Sequence, residues 1–129
     1  MSNEDQKVTM EEMSKYTDSY SEEGLLEKIG KYAKQIGLKL LYEVLLLWYV
    51  LEKDDLPTDV RLKIYAALGY FISPFDLVPD LLPVVGYSYD AIAIGIAIGI
   101  AHMYIDEEVR NKAKAKIDDI FGPGTSEEL

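Results

Sequence analysis

Three prolines within ten residues interrupt the middle of this 129-residue chain, and they constrain its fold more than any other sequence feature. They stand in the run SPFDLVPDLLPVVGYS, residues 73–88, where their spacing leaves no room for a regular helix of normal length. The same run is rich in phenylalanine, leucine and valine, so we expect a buried loop of irregular backbone. Its buried amides need acceptors, and the local candidates are the side chains of Ser73, Asp76, Asp80 and Asp90.

The stretch before this loop predicts two helices. Hydrophobic residues recur at three- and four-residue steps over Leu25–Leu51, which is typical of one face of a single helix. The second half of this helix is apolar over most of its circumference, so we expect it to lie at the centre of the fold. Pro57 suits the start of a second helix over residues 58–72. Pro74 ends this helix, because the residue before a proline is disfavoured in helical dihedral angles.

The segment after the loop, AIAIGIAIGIA over Ala91–Ala101, alternates with a two-residue period. That period is a strand signal, but a lone strand in a helical chain has no partner, so we predict a helix. On a helix, Ala91, Gly95 and Gly99 form one ridge of small residues, with a ridge of alanines beside it. Because GxxxG spacing lets another helix approach closely, we expect the helix over residues 91–105 to be the most buried, with its glycines against a neighbour.

A last helix is predicted after Asp106, which is placed to cap it and is followed by two glutamates in the first turn. Gly122-Pro123 ends this helix in the expected order of glycine and then proline. The fold class that follows is all-α, a compact bundle of about four main helices with the proline- and aspartate-rich loop between the second and third core helices. We assign residues 22–122 to this domain and residues 123–129 to a frayed tail. Residues 1–21 are assigned to an acidic, partly disordered tail with a short helix around Met10–Tyr16.

Composition excludes several classes of protein and of site. The chain has no cysteine, which removes disulfides, thiolate zinc sites and cysteine nucleophiles and fits a reducing compartment. Its formal charge of −10 argues against nucleic acid as a partner, because phosphate binding needs clustered lysine and arginine. Residues 1–15 are polar and lack the apolar segment of a signal peptide, so we expect a cytoplasmic protein.

The aspartates of the loop region support two interpretations. Asp76, Asp80 and Asp90 could together supply oxygen ligands to Mg²⁺ or Ca²⁺. Alternatively, they cap turns and helix ends: Ser73 and Asp76 have the spacing of a capping box, and Asp90 is expected near a helix N-terminus. Arg61 is an ion-pair partner available to these carboxylates. We favour the structural interpretation and keep the metal site as the alternative.

No catalytic site is predicted. His102 is the only histidine, and a lone histidine near the end of an apolar helix is typical of a packed core residue. Without cysteine or a second histidine, it cannot complete a typical zinc site or a serine triad. The sequence also lacks a glycine-rich phosphate loop, a nucleophile elbow and a metalloprotease motif, so we expect no cofactor.

The run SPFDLVPDLLPVVGYSYD, residues 73–90, resembles the signature of the YkvA-like family, also described as domain of unknown function 1232. The resemblance extends over about Leu25–Phe121, and Tyr89 departs from it, since the family more often has an acidic residue there. It implies no established activity and, at most, a predicted association with membranes. The residues that match the loop motif are Ser73, Pro74, Asp76, Leu77, Pro79, Asp80, Pro83, Gly86 and Asp90.

Membrane association can be judged from the length of the uncharged runs. These cover residues 64–75 and 91–105, which as helices reach about 18 and 22 Å, short of the roughly 30 Å hydrocarbon core. Basic residues nevertheless precede the first run and follow the second, which is the asymmetry of a hairpin with both ends in the cytoplasm. We favour a soluble or peripheral bundle, and the alternative is a shallow re-entrant hairpin over residues 64–105.

The predicted function is therefore non-catalytic. We expect an interaction module that associates with itself, with an unidentified protein partner or with the inner face of a membrane, and that binds neither cofactor nor nucleic acid. The alternative is a divalent-metal-dependent enzyme that uses Asp76, Asp80 and Asp90. The two predictions differ in an observable way, because a ligand that binds only the folded chain raises its melting temperature.

Overall fold

The computed structural model describes residues 9–72 and 83–129, apart from the side chains of Glu12 and residues 83–90. All regular structure in these ranges is helical, which confirms the predicted all-α fold class. Short 3₁₀ helices cover Ser14–Ser19, His102–Tyr104 and Thr125–Glu128. The α-helices are α1 (Met10–Met13), α2 (Glu22–Ile36), α3 (Leu38–Val50), α4 (Thr58–Ile72), α5 (Pro83–Ala101) and α6 (Glu107–Phe121).

The single helix predicted over Leu25–Leu51 is in fact two helices, α2 and α3, which are divided at Gly37. This glycine has a φ of 94°, a backbone conformation that side chains with a Cβ rarely adopt. Its amide donates to the carbonyl of Ala33 and so ends α2, while its carbonyl accepts from the amide of Leu41 and so begins α3. The prediction of one helix is wrong because the hydrophobic period continues across the break.

Helix α3 lies at the centre of the fold, as its apolar sequence predicts. It packs against α2, α5 and α6. Burying one leucine or valine side chain contributes about 1.5–3 kcal/mol, so α3 supplies a large part of the hydrophobic stabilisation. Its fully buried side chains are Leu41, Val44, Leu45, Leu47 and Val50.

Helix α5 confirms that the alternating segment is helical. It packs against α3 and α4, and its fully buried side chains include Ala93, Ile94, Ala97 and Ala101. The helix begins at Pro83, so the irregular loop predicted as far as residue 88 ends earlier than expected. Proline fits at that position because the first amides of a helix have no partner within it.

Helix α6 begins as predicted, with Asp106 as its cap. One carboxylate oxygen of Asp106 accepts a hydrogen bond from the amide of Val109 at 2.9 Å. The other lies 2.7 Å from the ammonium of Lys53, which joins the start of α6 to the segment that follows α3. The hydrogen bond from Lys53 lowers the pKa of Asp106, and the amide of Val109 adds to this effect. Gly122, with a φ of 120°, follows the helix as expected.

Residues 123–129, which we predicted to be a frayed tail, include the short 3₁₀ helix Thr125–Glu128, which packs against α6. The amide of Ser126 donates to one carboxylate oxygen of Asp118 at 2.7 Å, and its hydroxyl donates to the other at 3.0 Å. Hydrogen bonds to a charged acceptor are stronger than those to a neutral one, so Asp118 fixes the direction of this segment.

The tail predicted over residues 1–21 is also ordered where the structure describes it. The segment from α1 to Tyr20 packs on α4, and Met13 is fully buried. The helices over residues 10–19 lie where the sequence suggested a short helix around Met10–Tyr16. The acidic composition of the segment did not indicate that it packs on α4. Residues 1–8 lie outside the described ranges.

In the described ranges, no helix is both long enough and apolar enough to cross a membrane. Helix α5 is the longest of these helices, with 19 residues, and it does not qualify. The hairpin considered over residues 64–105 includes residues 73–82, which the structure does not describe, so the hairpin stays a prediction.

Candidate functional site

Most of the proline- and aspartate-rich loop lies outside the described residues. Its predicted roles in capping and in metal binding therefore stay predictions. The motif residues in this part of the chain are Ser73, Pro74, Asp76, Pro79 and Asp80.

The remaining motif residues, Pro83, Gly86 and Asp90, belong to α5. Pro83 is the first residue of the helix, and Asp90 is the eighth. A capping carboxylate accepts hydrogen bonds from the free amides of the first turn of a helix. Asp90 lies about one full turn beyond those amides. The prediction that Asp90 lies near a helix N-terminus is therefore wrong.

The described residues add no further ligands to the predicted metal site. Within them, no three histidine, aspartate or glutamate side chains are placed to hold a metal ion together. His102, which we expected in the core, is exposed. That prediction is wrong because α5 ends at Ala101, so His102 begins a short 3₁₀ helix beyond the last buried turn.

The two ridges of small residues on α5 have opposite environments. Ala93, Ala97 and Ala101 are fully buried, whereas Ala91, Gly95 and Gly99 are exposed. A Cβ added at Gly95 or Gly99 would meet no described atom within 4 Å. Among the described residues, no helix of the same chain packs on this glycine ridge, so its packing against another helix stays a prediction. The bundle uses the alanine ridge beside it.

From Ala91 to Ala101, the exposed side of α5 forms a surface without charged groups, which we call the uncharged face of α5. The chain has no charged side chain between Asp90 and Asp106. On this face, Ile92 is 37% exposed. Half-buried isoleucines flank it on both sides, at 96 and 98. The face consists of Ala91, Ile92, Gly95 and Gly99.

An open groove with a volume of about 360 Å³ borders the uncharged face of α5 at Ile98. Its apolar wall includes Leu46 of α3 and Leu129, and Tyr42 stands beside them. Burial raises the pKa of Tyr42, and Arg110 opposes this effect. Charged side chains also line the groove, namely Lys39, Glu43 and Glu128, so the uncharged surface ends at Ile98.

A buried lysine lies where α4 ends and the undescribed loop begins. Lys28 of α2 is only 5% exposed, and its ammonium donates a hydrogen bond to the carbonyl of Phe71. The same ammonium lies 4.1 Å from the centre of the Phe71 ring. It thus satisfies a carbonyl of the last turn of α4, where a positive charge is favourable.

The sequence did not single out Lys28, because a lysine on a surface helix is normally exposed to solvent. The available signal was its register, three residues after Leu25 and four before Tyr32, which places it on the apolar face. Arg61 was expected to pair with the loop aspartates. Its guanidinium instead donates to the carbonyls of Leu51 and Lys53 at 2.9 and 3.0 Å, so it closes the end of α3.

Comparison with known proteins gives a family match over part of the chain. Residues 60–96 match the model of a family described as a protein of unknown function, DUF1232. The matched residues cover most of α4, the whole of the undescribed loop and α5 as far as Ile96. No curated protein and no solved structure is significantly similar to this chain.

Proposed function

We propose that this chain is a YkvA-like, non-catalytic interaction module that binds a second copy of itself through the uncharged face of α5. The family match over residues 60–96 supports the DUF1232 part of this assignment, and the motif residues that follow Ile72 support its extension. The proposal on self-association depends on one observation, which is the environment of α5.

A helix on the surface of a globular protein normally carries charged residues on its outer side. Over residues 91–101, where the side chains are described, the exposed side of α5 carries none, and its central positions are Gly95 and Gly99, which are open to solvent. Each glycine costs about 1 kcal/mol relative to alanine in a helix. A compensating gain is expected where the missing side chains let a partner approach the backbone.

A second copy of the same helix suits this surface in shape and in charge. GxxxG spacing lets two helices approach until their backbones are in contact, and two identical uncharged faces bring no charged groups together. The formal charge of −10 opposes the approach of two copies, so the dimer should become tighter as the salt concentration rises.

A membrane surface suits the face less well than a second copy does. Alanine and glycine contribute little apolar area for insertion, and a strongly acidic protein is repelled by anionic lipids. We therefore do not propose attachment to the inner face of a membrane. The experiment described next can distinguish it from self-association.

Sedimentation equilibrium without detergent tests the proposal. We expect the wild-type chain to dimerise, and we expect Gly95→Leu and Gly99→Leu to weaken the dimer about tenfold or more, because leucine separates the two backbones. Gly30→Leu is the matched control, since Gly30 of α2 is also exposed and a Cβ there also meets no described atom within 4 Å.

Two results would contradict the proposal. One is a wild-type chain that stays monomeric at the highest accessible concentration. The other is a dimer that both leucine variants form as tightly as the wild type. Cosedimentation of the monomeric chain with lipid vesicles, lost in Gly95→Leu, would assign the face to a membrane instead.

A further inference from the structure

A second interaction surface lies on α4, where the segment over residues 10–20 crosses it; we call this segment the strap. Three side chains at positions i, i+3 and i+7 anchor the strap. Met13 is fully buried, the ring of Tyr16 lies 5.1 Å from that of Tyr70 at 77°, and the ring of Tyr20 stacks on Tyr65 at 5.0 Å.

Gly69 of α4 is the point of closest approach between the helix and the strap. A Cβ built on Gly69 would overlap the carbonyl oxygen of Tyr16 and would lie 3.1 Å from the amide nitrogen of Tyr20. Any side chain at this position would therefore displace the backbone of the strap. The face of α4 around Gly69, which we call the Gly69 groove, is shaped to receive a polypeptide backbone.

The strap has little structure that would hold it in place without this groove. Its two helices have four and six residues, lengths at which an isolated helix is not stable in water. None of the backbone hydrogen bonds of the described residues joins the strap to α4. The connection to α2 runs through Tyr20 and Ser21, which are both extended. The strap therefore sits in the groove as a bound peptide would, through side-chain anchors.

We infer that the Gly69 groove is a peptide-binding site for a segment with methionine and two tyrosines in the spacing Met-x₂-Tyr-x₃-Tyr, and that its ligand in trans is the strap of a second copy. In the single chain, the strap occupies the groove in cis. Exchange between copies needs a change of dihedral angles only in the short extended connection before α2. The matched residues 60–96 include Gly69 but not the strap.

Complementation between two full-length variants tests this inference. The first carries Met13→Ser and Tyr16→Ser, which removes two anchors and leaves the groove open. The second carries Gly69→Leu, which blocks the groove and leaves the strap free. Both also carry Gly95→Leu, so that the uncharged face of α5 does not contribute to association.

We expect the two variants to form a 1:1 complex in sedimentation velocity when they are mixed, and each to stay monomeric alone. Replacing Gly69→Leu by Gly30→Leu in the second chain keeps its strap in cis. The two chains of this control mixture should therefore associate at least about tenfold more weakly. Mixed variants that retain their helical circular dichroism but form no complex would overturn the inference.

A peptide assay on the wild-type chain covers the case in which a variant does not fold. The probe is a synthetic peptide of residues 9–21 with Lys15→Gln, added in excess to the full chain with trypsin. Displacement of the strap should speed cleavage of the chain after Lys15, and the same peptide with both tyrosines replaced by serine should not. Unchanged cleavage at saturating peptide would overturn the inference, whatever the outcome for α5.

Discussion

Lys28 and Phe71 join α2 to the last turn of α4, because the lysine ammonium both donates to the phenylalanine carbonyl and lies over the phenylalanine ring. An ammonium with only 5% exposure has lost most of its hydration, so these contacts replace water. The junction lies directly before residue 73, where the family motif begins. It therefore fixes the end of α4, directly before residue 73.

The first prediction concerns this junction. Lys28→Met keeps the apolar stem but removes the donor, and it should reduce the free energy of unfolding by about 1–3 kcal/mol, because the Phe71 carbonyl loses its partner. Lys31→Met is the control, since Lys31 is exposed and its pair with Glu27 spans 3.6 Å at the surface. Urea unfolding measures both. Equal stability of Lys28→Met and the parent would show that the buried ammonium contributes no net stabilisation.

The second prediction concerns pH and the pair of Lys53 with Asp106. The pKa of Asp106 is lowered from its ordinary value of 3.8, first by the hydrogen bond from Lys53. The pair therefore stabilises the fold above that ordinary value, and the stabilisation is lost as the pH falls through the lowered pKa. Asp106→Asn keeps a capping oxygen but removes the charge. The melting temperature of Asp106→Asn should be a few degrees below that of the parent at pH 7. In strong acid the two melting temperatures should be equal.

The control for this pH dependence is Asp54→Asn, an exposed aspartate in the connection between α3 and α4. Its melting temperature should follow that of the parent over the whole range. A gap between Asp106→Asn and the parent that persists undiminished at the acidic end would mean that the loss comes from the cap and not from the ion pair.

The helices could be predicted from the sequence because their signals are local. The bounds of α4 follow from Pro57 and Pro74, and the cap of α6 follows from Asp106 and the glutamates after it. Gly37 was overlooked because a glycine inside a periodic pattern is usually tolerated, and only its positive φ shows that it divides two helices.

The environment of each face could not be predicted, because it depends on contacts between distant residues. The alternating segment of α5 offers two adjacent ridges of small residues, and nothing local tells which of them faces the core. Lys28 and Arg61 raise the same difficulty. Each donates to a carbonyl at the end of a different helix, and such a partner is known only once the helices are packed.

The third prediction follows from the exposure of the glycine ridge. Gly95→Ala and Gly99→Ala should each stabilise the monomer by up to about 1 kcal/mol, because alanine favours the helix and a Cβ there meets no described atom within 4 Å. Thermal unfolding at low protein concentration measures the effect without a contribution from self-association. Destabilisation by both substitutions would mean that the ridge is packed within one chain.

The fourth prediction concerns the alanine ridge, which has the opposite environment. Ala97 is fully buried, so Ala97→Leu should overpack the core and cost about 1–3 kcal/mol or more. Ala91→Leu makes the same chemical change on the exposed side and should leave the stability of the monomer within about 0.5 kcal/mol. Chemical unfolding of both variants decides whether α5 is oriented as described. Similar losses in both would contradict that orientation.

The last prediction tests the metal-dependent alternative. Addition of Mg²⁺ or Ca²⁺ at millimolar concentration should leave the melting temperature unchanged, because we expect the loop aspartates to cap turns, and within the described residues no three histidine, aspartate or glutamate side chains are placed to hold an ion. If the loop carboxylates did bind a metal, the ion would raise the melting temperature by mass action, and Asp80→Asn would abolish the rise. Asp54→Asn is the control, since it removes a carboxylate of the same charge from an exposed position far along the chain from the motif. A metal-dependent rise that disappears in Asp80→Asn and persists in Asp54→Asn would contradict the prediction and favour a metal site in the loop.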